Sequence, residues 1–101
     1  MAAARVMAHE RIIIDDDARK AIVTGRCISV TPMECGILSA LLHMPNTTFS
    51  RQELLNYAAG LDSPTSERAV DVHVASLRRK LGVAGERIQA VRGEGYRYVA
   101  E

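Results

Sequence analysis

The sequence predicts a single α+β domain of 101 residues. Three observations carry that reading. Short extended runs broken by polar turns occupy residues 10–30. Three segments of helical periodicity, each opened by a capping residue, follow to residue 82. Two more extended runs then flank Gly93-Glu94-Gly95.

The first extended run covers residues 10–14 and stops at Asp15-Asp16-Asp17, because three like charges favour a solvated turn over a strand interior. Residues 19–24 resume the pattern, Gly25 marks another turn, and residues 26–30 alternate in part. Together these predict a small antiparallel meander of three strands. Thr31-Pro32-Met33-Glu34 is a helix start, with a capping hydroxyl, proline at the first helical position and Glu three residues after the cap. Ile37, Leu38, Leu41 and Leu42 recur at helical spacing behind it, and Met44-Pro45-Asn46 ends the helix. Ser50-Arg51-Gln52-Glu53 is a second capping box, opening a shorter helix closed by Gly60. Residues 60–65 read as a loop. Ser66 is expected to cap a third helix over residues 66–81, with Gly82 just past its end. Residues 88–92 and 96–99 form a hairpin around the glycines. The order is strands, helix, helix, helix, hairpin. That is a winged helix-turn-helix with an N-terminal antiparallel sheet, three helices and a C-terminal β-hairpin wing.

Composition narrows the class. With 48% hydrophobic and 25% charged residues the chain is neither disordered nor a membrane composition. Trp is absent and aromatics make up 4%, so the core must come from Leu, Ile, Val, Ala and Met. No apolar run is long enough to span a bilayer, and the Ala-rich start lacks a signal-peptide core. Residues 1–9 are expected to be a flexible leader and residues 10–101 the domain. Cys27 and Cys35, like His9, His43 and His73, lack metal-ligand spacing, so no metal or cofactor is expected. Thiols without a secretory context point to a reducing cytoplasm. No nucleophile–base pair has a spacing that calls for catalysis, so an enzyme is not expected.

Net charge is only +1, but it is uneven: seven basic and four acidic residues between 66 and 98 make that stretch +3 and the remainder −2. A basic C-terminal third suits a localised anionic partner. On a helical wheel, Val70, Val74, Leu77 and Leu81 form one apolar stripe. Opposite lie Arg68, Val72, Ala75 and Arg79, flanked by Asp71, Ser76 and Arg78. Small side chains admit close approach to base edges, arginines reach guanine or phosphate, and an outward Val72 suits a thymine methyl. Arg92 beside the glycine turn suits a narrow minor groove.

Val70-Asp71-Val72-His73-Val74 followed by Leu77-Arg78-Arg79-Lys80-Leu81-Gly82 resembles the recognition helix of the response-regulator C-terminal effector domain family (OmpR/PhoB type). Val91-Arg92-Gly93-Glu94-Gly95-Tyr96-Arg97 is similar to that family's wing. Thr31-Pro32-Met33-Glu34 and Ser50-Arg51-Gln52-Glu53-Leu54-Leu55 are similar to its first two helix starts.

The resemblance implies transcriptional regulation through sequence-specific double-stranded DNA, on tandem half-sites that align a second copy. It implies backbone contacts by Arg68 and His73, base-edge positions for Val72, Ser76 and Arg78, and phosphate contacts by Arg79, Ser50 and Arg51. It also places Arg92 in the minor groove and RNA polymerase at residues 60–65. Ala75 and Ser76 stand where some relatives carry arginine, and Ala59 where many carry Trp. Near-neutral charge and those missing arginines motivate the alternative, a winged helix repurposed for contact with a related regulator. Family members usually carry an N-terminal receiver domain. Residues 1–9 are too few to form one, so the sequence reads as an excised effector domain or a stand-alone regulator.

Overall fold

The computed structural model describes residues 12–23, 25–59 and 66–100. The expected leader and the 60–65 loop lie outside the described residues.

Strands β1 (Ile12–Asp15), β2 (Lys20–Val23) and β3 (Arg26–Ser29) form an antiparallel sheet in that order. The pleat explains the sequence: Ile12, Ala21 and Val23 enter the core, while Ile13 and its cross-strand partner Ile22 face outward. The aspartate triplet divides its work. Asp15 still belongs to β1, opposite Lys20, and its Oδ1 accepts the Ala18 N–H at 3.1 Å. Asp16 accepts the Ser39 hydroxyl at 2.6 Å and the Cys35 thiol at 3.3 Å, which docks the turn on the first helix.

Helix α1 (Pro32–His43) starts as predicted, with a complete capping box between Thr31 and Glu34. It buries Ile37, Leu38, Ala40 and Leu41 at the centre of the core. Helix α2 (Arg51–Ala59) has the second box: the Glu53 N–H donates to Ser50 Oγ at 3.0 Å and the Ser50 N–H to Glu53 Oε1 at 2.8 Å. Leu54 and Leu55 bury its inner face.

Helix α3 (Arg68–Leu81) departs from the prediction at its start. Glu67, not Ser66, is the N-cap residue, with helical φ/ψ and no side-chain cap. The Ala69 N–H bonds to the Ser66 carbonyl instead, so the chain enters through a turn. A capping side chain needs an extended backbone at the cap residue, and this entry does not provide it. Val70, Val74, Leu77 and Leu81 are buried along α3 as the wheel requires. At its end the Arg26 Nη2 donates to the Leu81 carbonyl at 3.2 Å, tying the helix to β3. A 3-10 segment (Gly82–Arg87), absent from the sequence-based reading, leads on to the hairpin.

That hairpin comprises β4 (Ile88–Val91) and β5 (Gly95–Tyr98). Its inner strand is paired on both sides. The segment between α1 and α2 runs beside β5, with a Phe49↔Tyr96 bridge and the Asn46 N–H donating to the Tyr98 carbonyl at 2.7 Å. Gly95 is required there: at φ +147°, a Cβ would sit 1.9 Å from the Phe49 carbonyl oxygen. Among the described residues no helix is long and apolar enough to cross a membrane.

Candidate nucleic-acid interface

Packing of Val70, Val74, Leu77 and Leu81 into the core leaves a row of exposed residues on the opposite side of α3: Arg68, Val72, Ala75 and Arg79. Val72 is 68% exposed, so its methyl groups stand on the outward row. Arg92 is exposed on the turn between β4 and β5, where Gly93 has φ +75° and the Glu94 N–H closes on the Val91 carbonyl at 2.9 Å. An open cleft lined by Ala75, Arg78, Arg79, Gly85, Glu86 and Ile88 lies between α3 and the 3-10 segment that leads to the wing. Helix row and wing tip therefore present basic side chains on two projections of one domain.

The structure gives Ser50, Ser76, Arg78 and Arg51 partners inside the chain. Ser50 Oγ is engaged in the α2 capping box. His73 is half-buried. Ser76 is partly buried and hydrogen-bonds Glu34, on the side of α3 that faces α1. Arg78 donates through Nε to the Ile88 carbonyl at 2.7 Å and through Nη2 to the same oxygen. Its guanidinium lies 6.0 Å from the centre of the Tyr96 ring. Arg51 donates through Nε to Asp71 Oδ1 at 2.8 Å, and its guanidinium lies 5.6 Å from the centre of the Tyr96 ring. Thus Arg68, Val72 and Arg79 share the outward row, whereas Ser76, Arg78 and Arg51 have polar groups already engaged.

Two residues outside the predicted site shape it. Glu34 is 2% exposed and is held as a carboxylate. Burial pushes its pKa up, but hydrogen bonds from Lys80, the Thr31 N–H and Ser76, with the Lys80 charge, outweigh that and leave it below the ordinary glutamate value. Tyr96 donates its hydroxyl to Asp71 Oδ1 at 2.5 Å. That bond, with Arg51, holds the Asp71 carboxyl below the usual aspartate range, and burial together with Asp71 raises the Tyr96 phenol. A strand tyrosine in a Gly-rich hairpin is the only sequence signal for this contact, and it does not name the partner. Among the described residues no cluster of His, Cys, Asp or Glu could hold a metal ion.

A helix-turn-helix whose last helix exposes a basic and small-residue row, followed by a β-hairpin with an arginine at its tip, defines the winged helix-turn-helix class. Residues 25–98 match the family described as "Transcriptional regulatory protein, C terminal", and the chain belongs to that family. It is 37% identical over 97 residues to the transcriptional regulatory protein BaeR of Escherichia coli O6:H1, covering 93% of this chain and 40% of BaeR. The chain thus spans well under half of that relative's length. The fold is similar to the response regulator AdeR DNA-binding domain solved in complex with an intercistronic region. The TM-score is 0.76 at 35% identity, over 89% of this chain and 95% of that one. It is also similar to the Klebsiella pneumoniae RstA DNA-binding domain in complex with the RstA box. There the TM-score is 0.73 at 28% identity, over 89% and 92% of the two chains.

Proposed function

We propose that the chain is the effector domain of a bacterial two-component transcription regulator, binding double-stranded DNA sequence-specifically with α3 in the major groove and the wing at the minor groove. The observation that carries this reading is the outward row Arg68, Val72, Ala75 and Arg79 alongside Arg92 on the wing tip. The row combines charge for phosphate or guanine with short apolar side chains for thymine methyls. Arg68, Arg79 and His73 serve the DNA backbone, as does the start of α2 with Ser50 and Arg51. Val72 lies at base edges. Ser76 and Arg78 reach bases only by exchanging the partners they have in the free protein. Arg92 enters the minor groove. Tandem half-sites align a second copy, and residues 60–65 meet RNA polymerase in the cytoplasm. This assigns the domain a binding role without catalysis.

The test is an unbiased duplex selection with the purified chain, followed by a salt titration on the enriched sequence. Enrichment of a repeated motif is expected, with affinity falling steeply as salt rises because bound counterions are released from the phosphates. Failure to enrich any motif, with weak binding to all duplexes, would overturn the reading in favour of a protein partner.

A further inference from the structure

Three elements of the proposed DNA-binding surface converge on one carboxylate oxygen. Asp71, on α3, accepts at Oδ1 from Arg51 Nε at the first residue of α2 and from the Tyr96 hydroxyl on β5. Both bonds are short and charge-assisted, at 2.8 and 2.5 Å. The Tyr96 ring is buried and has the Arg51 and Arg78 guanidinium groups near it, and Arg78 continues to the Ile88 carbonyl on β4. Each wing strand is therefore tied to α3 by its own polar contact: β5 through Asp71 and β4 through Arg78.

We propose that the Asp71–Tyr96 hydrogen bond is the joint that sets the wing's angle to the recognition helix, so that both residues position Arg92 for DNA without touching it. The inference rests on the DNA-binding reading above. Tyr96 pairs with Ala90 across the hairpin, and only the Val91↔Gly95 pair and the turn lie between this joint and Arg92. A tilt at Tyr96 is therefore carried directly to the tip. Apolar burial alone does not set that tilt. The ring packs among core side chains without directional constraint, whereas a hydrogen bond fixes both distance and angle. Burial of the Tyr96 ring and the paired backbone bonds between Tyr96 and Phe49 keep β5 on the segment before α2, and the hydroxyl sets its orientation to α3.

Tyr96→Phe removes the hydroxyl and keeps the ring. Asp71→Asn keeps the shape and removes the charge, and serves as the second variant should the first fold poorly. Each is compared with the wild type on the selected duplex by binding anisotropy, hydroxyl-radical footprinting of the minor groove and guanine methylation protection in the major groove. Roughly tenfold weaker binding is expected for Tyr96→Phe, the scale of one well-placed hydrogen bond. Minor-groove protection at the wing is lost while major-groove protection remains. Arg92→Ala then costs less in the Tyr96→Phe background than in the wild type, since an undelivered wing has little left to lose. A merely structural role would lower both protections together and leave the Arg92→Ala cost unchanged.

Amide NMR of the free protein supplies a readout independent of DNA: residues 91–97 should show new exchange broadening in Tyr96→Phe. Wild-type wing dynamics in that variant, or full additivity with Arg92→Ala, would overturn the joint. If the wild type binds no duplex specifically, the DNA-binding reading falls and the positioning role with it, whatever the NMR result.

Discussion

Lys80 Nζ lies 2.7 Å from Glu34 Oε1, joining the basic end of α3 to the first turn of α1. The same carboxylate completes the α1 capping box and accepts from Ser76. One buried side chain thereby orients the recognition helix on the core and starts the helix that supports it.

Glu34→Ala should destabilise the domain by about 3 kcal/mol, because it leaves several buried or half-buried donors without an acceptor. For a domain of this size that is a fall in Tm of about 10 °C or more. Glu34→Gln should cost less, since glutamine also completes a capping box. Calorimetry of the two variants is the check, and equal melting of Glu34→Ala and wild type would show that the network contributes nothing.

The pH dependence has a definite sign. The Glu34 carboxyl titrates below its ordinary 4.5 in the folded chain, so it binds fewer protons than in the unfolded chain. Its stabilisation is present above the unfolded value and lost as pH falls through the lower, folded one. Asp71 acts in the same sense, shifted downward by Tyr96 and Arg51. Urea unfolding at pH 7, 5 and 3 should show the wild type losing its margin over Glu34→Gln only on the acid side. A margin that grows with acid would contradict the assignment.

Gly95→Ala and Gly93→Ala should separate two kinds of glycine requirement. At Gly95 a Cβ meets the Phe49 backbone, so strand pairing must break; a cost of about 3 kcal/mol or loss of folding is expected. At Gly93 nothing lies within 4 Å, and only the left-handed backbone penalty of about 1–2 kcal/mol applies. Chemical denaturation of the pair gives the ranking.

Adjacent arginines on α3 should behave differently. Arg79 is exposed, so Arg79→Ala should leave Tm within about 1–2 °C of wild type, reduce DNA affinity across sequences and lower the salt slope by about 1. Arg78 holds the Ile88 carbonyl, so Arg78→Ala should cost about 1–2 kcal/mol of stability as well as affinity. Parallel melting and binding curves decide it.

Arg92→Ala should weaken binding to the selected duplex by about 1–3 kcal/mol without moving Tm, if the wing reads groove width. The loss should shrink on duplexes whose minor groove at the wing position is wide. An equal loss on all duplexes would make Arg92 a plain phosphate contact.

Much of this architecture is readable without coordinates because its signals are local. Thr31 with Glu34, and Ser50 with Glu53, lie three residues apart, so the side chains that start α1 and α2 meet whatever the rest of the chain does. The stripe of Val70, Val74, Leu77 and Leu81 depends only on helical repeat, and so does the outward row that it defines. The same reasoning fails at the start of α3, where Glu67 rather than Ser66 stands at the cap with helical φ/ψ, a backbone entry that residue type does not set.

Sequence alone determined the order of elements, the two capping boxes, the buried stripe and the exposed row of α3, because each is an interaction between near neighbours along the chain. Only tertiary structure decided which polar groups on α2 and α3 are already engaged. Ser76 and Lys80 meet Glu34, Arg78 meets Ile88, and Arg51 and Tyr96 share Asp71. The contacts with Glu34 and Asp71 join residues 20 or more positions apart, and Arg78 meets Ile88 only because the 3-10 segment folds the chain back. They exist only once core burial has brought distant segments together, since residue type sets what a group can donate or accept and packing sets what it finds there.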